Sequence, residues 1–233
     1  MPFPRRRLAA IGILLVALIL RAGLLCVRSE QLSDDPDAYL SVARGLLDGE
    51  GLSIRPPGRQ PTFRPPLYPL LLAAVGVLRD STLPIAVLHL ALGTATVGLT
   101  MRIGRYLGLG NAGLLAGLLV AVDPLLVQYT SYVMTETVVT FLLTALLSVA
   151  TCGACRGNAA GAVQADGDCK DSPAGTSAAS KRLCDLSTGL LFGLCALCRP
   201  TVWVVGLLAA AWSIVRSIRK QDRRRGWKAV PWL

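Results

Sequence analysis

The chain has 233 residues, 53% of them hydrophobic and 16% charged, with a formal net charge of +10. The apolar residues fall in long runs rather than in the periodic stripes of a soluble helix, which argues against a water-soluble domain and for an all-α integral membrane protein. The positive charge flanks those runs and no aromatic-interleaved basic face accompanies it, so it reads as membrane topology, with no nucleic-acid partner.

Arg5, Arg6 and Arg7 precede the first run, and residues 8 to 27 are long enough to form the first span. No small-x-small cleavage site follows, so this segment reads as a retained anchor and not a cleaved signal. Leu25 is too bulky for the residue before a lipidated cysteine, which removes a lipoprotein reading of Cys26. Arg21, near the far end of the run, reads as a snorkelling side chain without a function of its own.

Residues 28 to 82 form the first external loop. Glu30, Asp34, Asp35, Asp37, Asp48 and Glu50 crowd into 21 residues of it. Asp48 and Glu50 read as solvated loop acids. Asp34, Asp35 and Asp37 stand so close that they repel one another unless a cation or hydrogen bonds compensate, which suits a base or a metal site. The same residues also suit the start of a helix, where acids cap the dipole, and spacing alone leaves both readings open. The prolines around Arg64 fix an extended or turning backbone, and an arginine there can meet lipid phosphate or simply snorkel among headgroups.

Residues 67 to 78 are apolar but reach only about 18 Å as a helix, short of a hydrocarbon core of about 30 Å, so they are expected to lie at the interface. Charge parity supports that choice. If this helix does not cross, Arg102, Arg105 and the basic cluster from Arg216 to Lys228 all fall on the same side as Arg5, Arg6 and Arg7, as the positive-inside rule requires.

Further spans are expected at residues 83 to 101, 112 to 130 and 135 to 151, with residues 102 to 111 cytoplasmic. His89, the sole histidine, sits among leucines and reads as a helix-contact residue rather than a proton relay. Glu136 opens an otherwise apolar span at an external boundary, where an acid is a site candidate or a charge favoured by the helix dipole. Residues 152 to 183, rich in Gly, Ala, Ser and Asp, read as a flexible cytoplasmic loop. The cysteine pairs Cys152/Cys155 and Cys195/Cys198 lie too far apart in this topology for a shared zinc site and read as small apolar residues. Residues 186 to 198 and 201 to 215 complete the chain as a helical hairpin turning at Arg199 and Pro200. About six spans result, in a multi-pass protein of the cell (inner or plasma) membrane with both termini cytoplasmic.

Four runs then stand in order: D-D-P-D-A-Y-L-S-V-A-R-G-L-L-D-G-E-G from Asp34, F-R-P-P-L-Y-P-L-L-L-A from Phe63, M-T-E-T-V-V-T-F-L-L from Met134 and C-R-P-T-V-W from Cys198. Together they resemble the N-terminal half of the GT-C glycosyltransferases, in particular the protein O-mannosyltransferases and the lipid A aminoarabinose transferases. The resemblance covers residues 5 to 218, with the loop from 152 to 183 as an insertion. It implies transfer of a sugar from a polyprenyl-phosphate carrier to an acceptor at the outer membrane face, with inversion at the anomeric carbon. Asp35, four residues ahead of Tyr39, takes the main catalytic role by that resemblance, with Asp34 and Asp37 as supporting acids. Arg64 and Tyr68 take the carrier phosphate, and Glu136 is the second acid, supporting Asp35 or helping to hold a divalent cation. No other cofactor is implied, and the acceptor is not specified. Because only half of such an enzyme is represented, a partner subunit, a gene fragment and an inactive remnant are all compatible with the sequence. A transporter or non-catalytic membrane subunit is the rival from another class.

Overall fold

The computed structural model describes residues 3 to 54, 60 to 61, 64 to 75, 81 to 165 and 178 to 226. In chain order its elements are α1 (Phe3–Val27), α2 (Tyr39–Leu47), β1 (Ser53–Ile54), β2 (Gln60–Pro61), α3 (Leu67–Ala74), α4 (Leu83–Tyr106), α5 (Asn111–Val122), α6 (Pro124–Gln128), α7 (Glu136–Ala165), α8 (Ala178–Cys198) and α9 (Val202–Gly226). Short 3-10 turns occupy Ser29–Leu32 and Tyr129–Ser131. The fold is helical, as composition implies, apart from a two-residue antiparallel ladder in which Ser53 faces Pro61 and Ile54 faces Gln60.

Two helices among the described residues are long and apolar enough to cross a membrane, Arg5–Val27 and Leu83–Tyr106. A third crossing is available if Asn111–Val122 and Pro124–Ser131, bent by 50° against each other, act as one span. The single helix expected over residues 112 to 130 is therefore broken. The cause is local: Asp123 is extended at ψ 118° and its carboxylate accepts from Leu126 N at 2.9 Å, capping a new helix that opens on Pro124. The apolar stretches Glu136–Cys152 and Val202–Arg216 are shorter.

α4 continues to Tyr106, so Arg102 and Arg105 ride on its last turns instead of a loop, and Arg102 Nε donates to the Tyr106 hydroxyl at 2.8 Å. α7 likewise runs on to Ala165. The first part of the expected flexible loop is thus helical, because an alanine-rich stretch without proline propagates a helix whether or not it has an apolar face. Residues 166 to 177 of that loop, and 76 to 78 of the expected interfacial segment, lie outside the described residues. What is described of the latter, α3, is eight residues long, about 12 Å at 1.5 Å per residue, and cannot cross a bilayer.

α4 is the central helix, packed on α1, α5 and α7, while α8 lies against α7 and α3 and α9 follows α8. α4 and α5 approach unusually closely: a Cβ added to Gly104 would lie 2.5 Å from Gly113 Cα. Small residues let two backbones touch where lipid offers no hydrophobic drive for association. The larger buried cluster gathers at one end of the bundle, where Leu32, Tyr39, Leu40, Tyr68, Leu72, Ile85, Val133, Val138, Cys195 and Val202 meet. α2 and α3 thereby cap the end at which α1 finishes and α4, α7 and α9 begin.

Candidate functional site

The site is built around two tyrosines in that cap. Tyr39 opens α2 and Tyr68 sits in the first turn of α3; their rings meet edge to face with centroids 5.1 Å apart, and they are 5% and 0% exposed. The run from Asp35 to Ala38 forms a turn closed by Ala38 N donating to Asp35 O at 3.1 Å, and Ala38 adopts the left-handed conformation at φ 60°, ψ 24°. A non-glycine residue there carries backbone strain. That geometry swings the Asp35 side chain over the start of α2, where Oδ2 accepts from Ser41 N at 2.9 Å.

Asp35 takes up the capping role its sequence allowed. One oxygen caps α2, and the other, Oδ1, is buried with no hydrogen-bond partner. Asp37 holds Arg64, at 2.9 Å from its guanidinium, and the guanidinium also lies over the Tyr39 ring, 5.6 Å from its centroid. Asp34 is exposed. The three neighbouring acids therefore face different tasks and do not pool their charge. Among the described residues no three His, Cys, Asp or Glu side chains converge as a metal site.

Glu136, the first residue of α7, pairs with Arg199 at 2.8 Å. Arg199 belongs to the turn between α8 and α9, and its neighbour Cys198 is buried with Sγ 4.0 Å from Thr135 O. Glu136 consequently has a fixed partner rather than a bare carboxylate at the helix dipole.

Tyr39 and Tyr68 register how closely these pieces approach. Burial raises the Tyr39 phenol above its ordinary pKa; Arg64 opposes this, Asp37 and Glu136 reinforce it, and a hydrogen bond with Thr135 again opposes. Burial likewise raises Tyr68, with Asp35, Cys198, Tyr39 and Glu136 adding to the effect. Four sequence segments, around residues 35 to 39, 64 to 68, 135 to 136 and 198 to 199, therefore surround one pair of phenols.

Tyr68 corrects one expectation. Its hydroxyl, expected to meet a lipid phosphate, is wholly buried and lies 3.0 Å from His89 Nε2. His89 Nδ1 is 3.1 Å from Thr130 O. A carbonyl can only accept, so Nδ1 carries the proton, Nε2 accepts, and the Tyr68 hydroxyl must donate to it. Tyr68 is thus a core residue that fastens α3 to α4, and His89 is the helix-contact residue its leucine neighbours suggested.

Sequence reasoning passed over Arg199 as a partner for Glu136 and Tyr39 as the surface on which Arg64 rests. Arginine before proline at a helix-hairpin turn, opposite an acid that starts a span, was the available signal for the first. The chain matches no family of known proteins, no curated protein and no solved structure.

Proposed function

We propose that this chain is a membrane glycosyltransferase, or the N-terminal part of one, that moves a sugar from a polyprenyl-phosphate carrier to an acceptor at the outer membrane face. The observation that carries the reading is the convergence of Asp35, Arg64, Glu136 and Arg199, drawn from four distant segments, on a single end of the helix bundle. In the proposed topology the chain crosses the membrane about six times, both termini are cytoplasmic and that end faces outward, so the acids and arginines stand where a lipid-linked donor presents its headgroup.

Each residue then has a task. Asp35 is held by its Oδ2 to the α2 amide while the buried Oδ1 has no hydrogen bond; when the cap opens to admit an acceptor, Oδ1 is the oxygen left to receive the proton of its hydroxyl. The acceptor oxygen bonds to the anomeric carbon as the carbon–phosphate oxygen bond breaks, and the electron pair leaves on the phosphate. Arg64, 40% exposed, can meet that developing charge while Asp37 and Tyr39 keep it in place. Glu136 and Arg199 hold the α7 start against the α8–α9 turn, a positioning task.

The test is release of polyprenyl phosphate from a panel of polyprenyl-phosphate sugars by the full chain in lipid. Asp35→Asn is expected to lower the rate by about 10²–10⁴-fold, the usual contribution of a general base. Release that is unchanged in Asp35→Asn removes Asp35 from the mechanism. No release with any donor, from folded protein, favours the reading as a fragment or a subunit that needs its partner.

One observation favours the rival transporter. Arg21 is 1% exposed and stands beside the broken helix α5–α6, and charges next to broken helices mark many transport sites. Solute flux in proteoliposomes that survives Asp35→Asn would decide for it.

A further inference from the structure

Arg21 is far more than a snorkelling side chain. Nη1 donates to Ala17 O and Ala121 O, both at 3.2 Å, and Nη2 to Val120 O at 3.3 Å. Val120 and Ala121 end α5, just before the break at Asp123 and Pro124. Pro124 has no N–H to give the carbonyl of Val120, and the extended Asp123 carries the chain away before Leu125 can serve Ala121. Arg21 supplies those missing donors from another helix and places a cation on the negative end of the α5 dipole. Asp123 acts on it electrostatically as the opposing charge.

This accounts for the outer nitrogens and leaves Nε. That atom is buried with no hydrogen-bond partner, and it lies against Gly93, where an added Cβ would be only 2.7 Å away. Arg21 and Gly93 line one cavity together with Thr96, Tyr129, Thr137 and Thr140. Its volume is about 10 Å³, taken as space for the centre of a water-sized sphere, which is room for about one water molecule.

We propose that this cavity is a binding site for a single resident water, which accepts from Arg21 Nε–H and donates to threonine oxygens of α4 and α7. The size of the space, room for one water and too small for a phosphate, and the lone pairs in its lining point to water. Thr96 already donates its hydroxyl proton to Leu92 O at 2.8 Å, and Thr137 donates to Tyr129 O at 3.0 Å. Both therefore turn lone pairs, not protons, to the cavity. Water, which accepts and donates, matches the Arg21 Nε–H and the two threonine lone pairs, and the hydroxyls of Tyr129 and Thr140 in the same lining can turn either way to it. The water joins α1 to α4 and α7 through a charge that has no carboxylate within salt-bridge distance among the described residues.

The experiment is solid-state NMR on the full chain in lipid vesicles with ¹⁵N-arginine and ¹³C-glycine, reading magnetisation transfer from water to guanidinium. The Arg21 Nε signal is identified by its through-space correlation to a glycine Cα, that of Gly93. Strong transfer from water is expected in the wild-type chain, reduced at least threefold in Thr137→Val, which keeps the volume and removes an acceptor. An Nε signal with no transfer from water in the wild-type chain, or transfer equal in the wild type and Thr137→Val, overturns the proposal. So does an Nε shift that moves when chloride is exchanged for gluconate, which would identify an anion.

Discussion

Ala38 is the residue at which local chemistry and site geometry conflict most openly. Its left-handed conformation costs an L-residue roughly 1–2 kcal/mol, and glycine avoids that cost. Ala38→Gly is therefore expected to raise stability by up to about 1 kcal/mol once the greater freedom of glycine in the unfolded chain is subtracted, read as a higher thermal midpoint in detergent. The turn that needs this conformation is also the one that brings Asp35 onto Ser41 N, so the same substitution should preserve the Asp35 position. The tyrosines make a second prediction. Because burial raises Tyr39 and Tyr68 in the folded protein, the folded chain keeps protons that the unfolded chain loses above about pH 10. Their contribution to stability is complete below that pH and falls as pH rises beyond it. A thermal midpoint that declines between pH 9 and pH 11 in the wild type (an order-of-magnitude window around the free phenol value) should decline less steeply in Tyr39→Phe.

At the scale of elements, α4 and α5 depend on contact between backbones. Gly104→Ala puts a methyl group 2.5 Å from Gly113 Cα, where no side chain can rotate away, so the helices must separate. A loss of about 1–3 kcal/mol, typical of overpacking, is expected in reversible unfolding. Gly189→Ala, with nothing within 4 Å of the added carbon, is the control and should be neutral or slightly stabilising. The elements also separate what the sequence made legible from what it hid. α1 and α4 follow from uninterrupted apolar runs of sufficient length. The break at Asp123 was hidden because hydropathy averages one acid into a run of leucines and valines, although aspartate followed by proline is a helix-start signal in its own right. α7 exceeds its apolar run because hydropathy reports what lipid will accept, whereas helix propagation needs only suitable residues without proline. At the site, Asp35, Asp37, Arg64 and Glu136 were each legible as charges near a membrane boundary. Their pairings were not: Glu136 and Arg199 lie 63 residues apart, and Tyr68 and His89 lie 21 apart, distances that only tertiary packing closes.

At the scale of the whole molecule, the proposed topology makes a direct prediction. In a background with its own cysteines replaced, Gly108→Cys in the α4–α5 turn is expected to react with a membrane-impermeant maleimide only from the cytoplasmic side, and Gly51→Cys only from the outside. Both positions have open space around an added side chain, so reactivity reports sidedness and not burial, although each glycine has a positive φ that costs a cysteine about 1–2 kcal/mol in stability. Labelling of both from one side would overturn the arrangement and, with it, the outward-facing site. Exposed leucines and tryptophans along α8 and α9, such as Leu190, Leu207, Trp203 and Trp212, suit a hydrocarbon surround in that arrangement.

The pair between Glu136 and Arg199 also sets an order in time. A ribosome must make 63 further residues after Glu136 before Arg199 exists, so α7 enters its surroundings with an acid at its leading edge and no cation to meet it. Synthesis at about 5–20 residues per second makes that wait roughly 3–13 seconds. During it Glu136 stands without its cation, and the arrival of the α8–α9 turn supplies it.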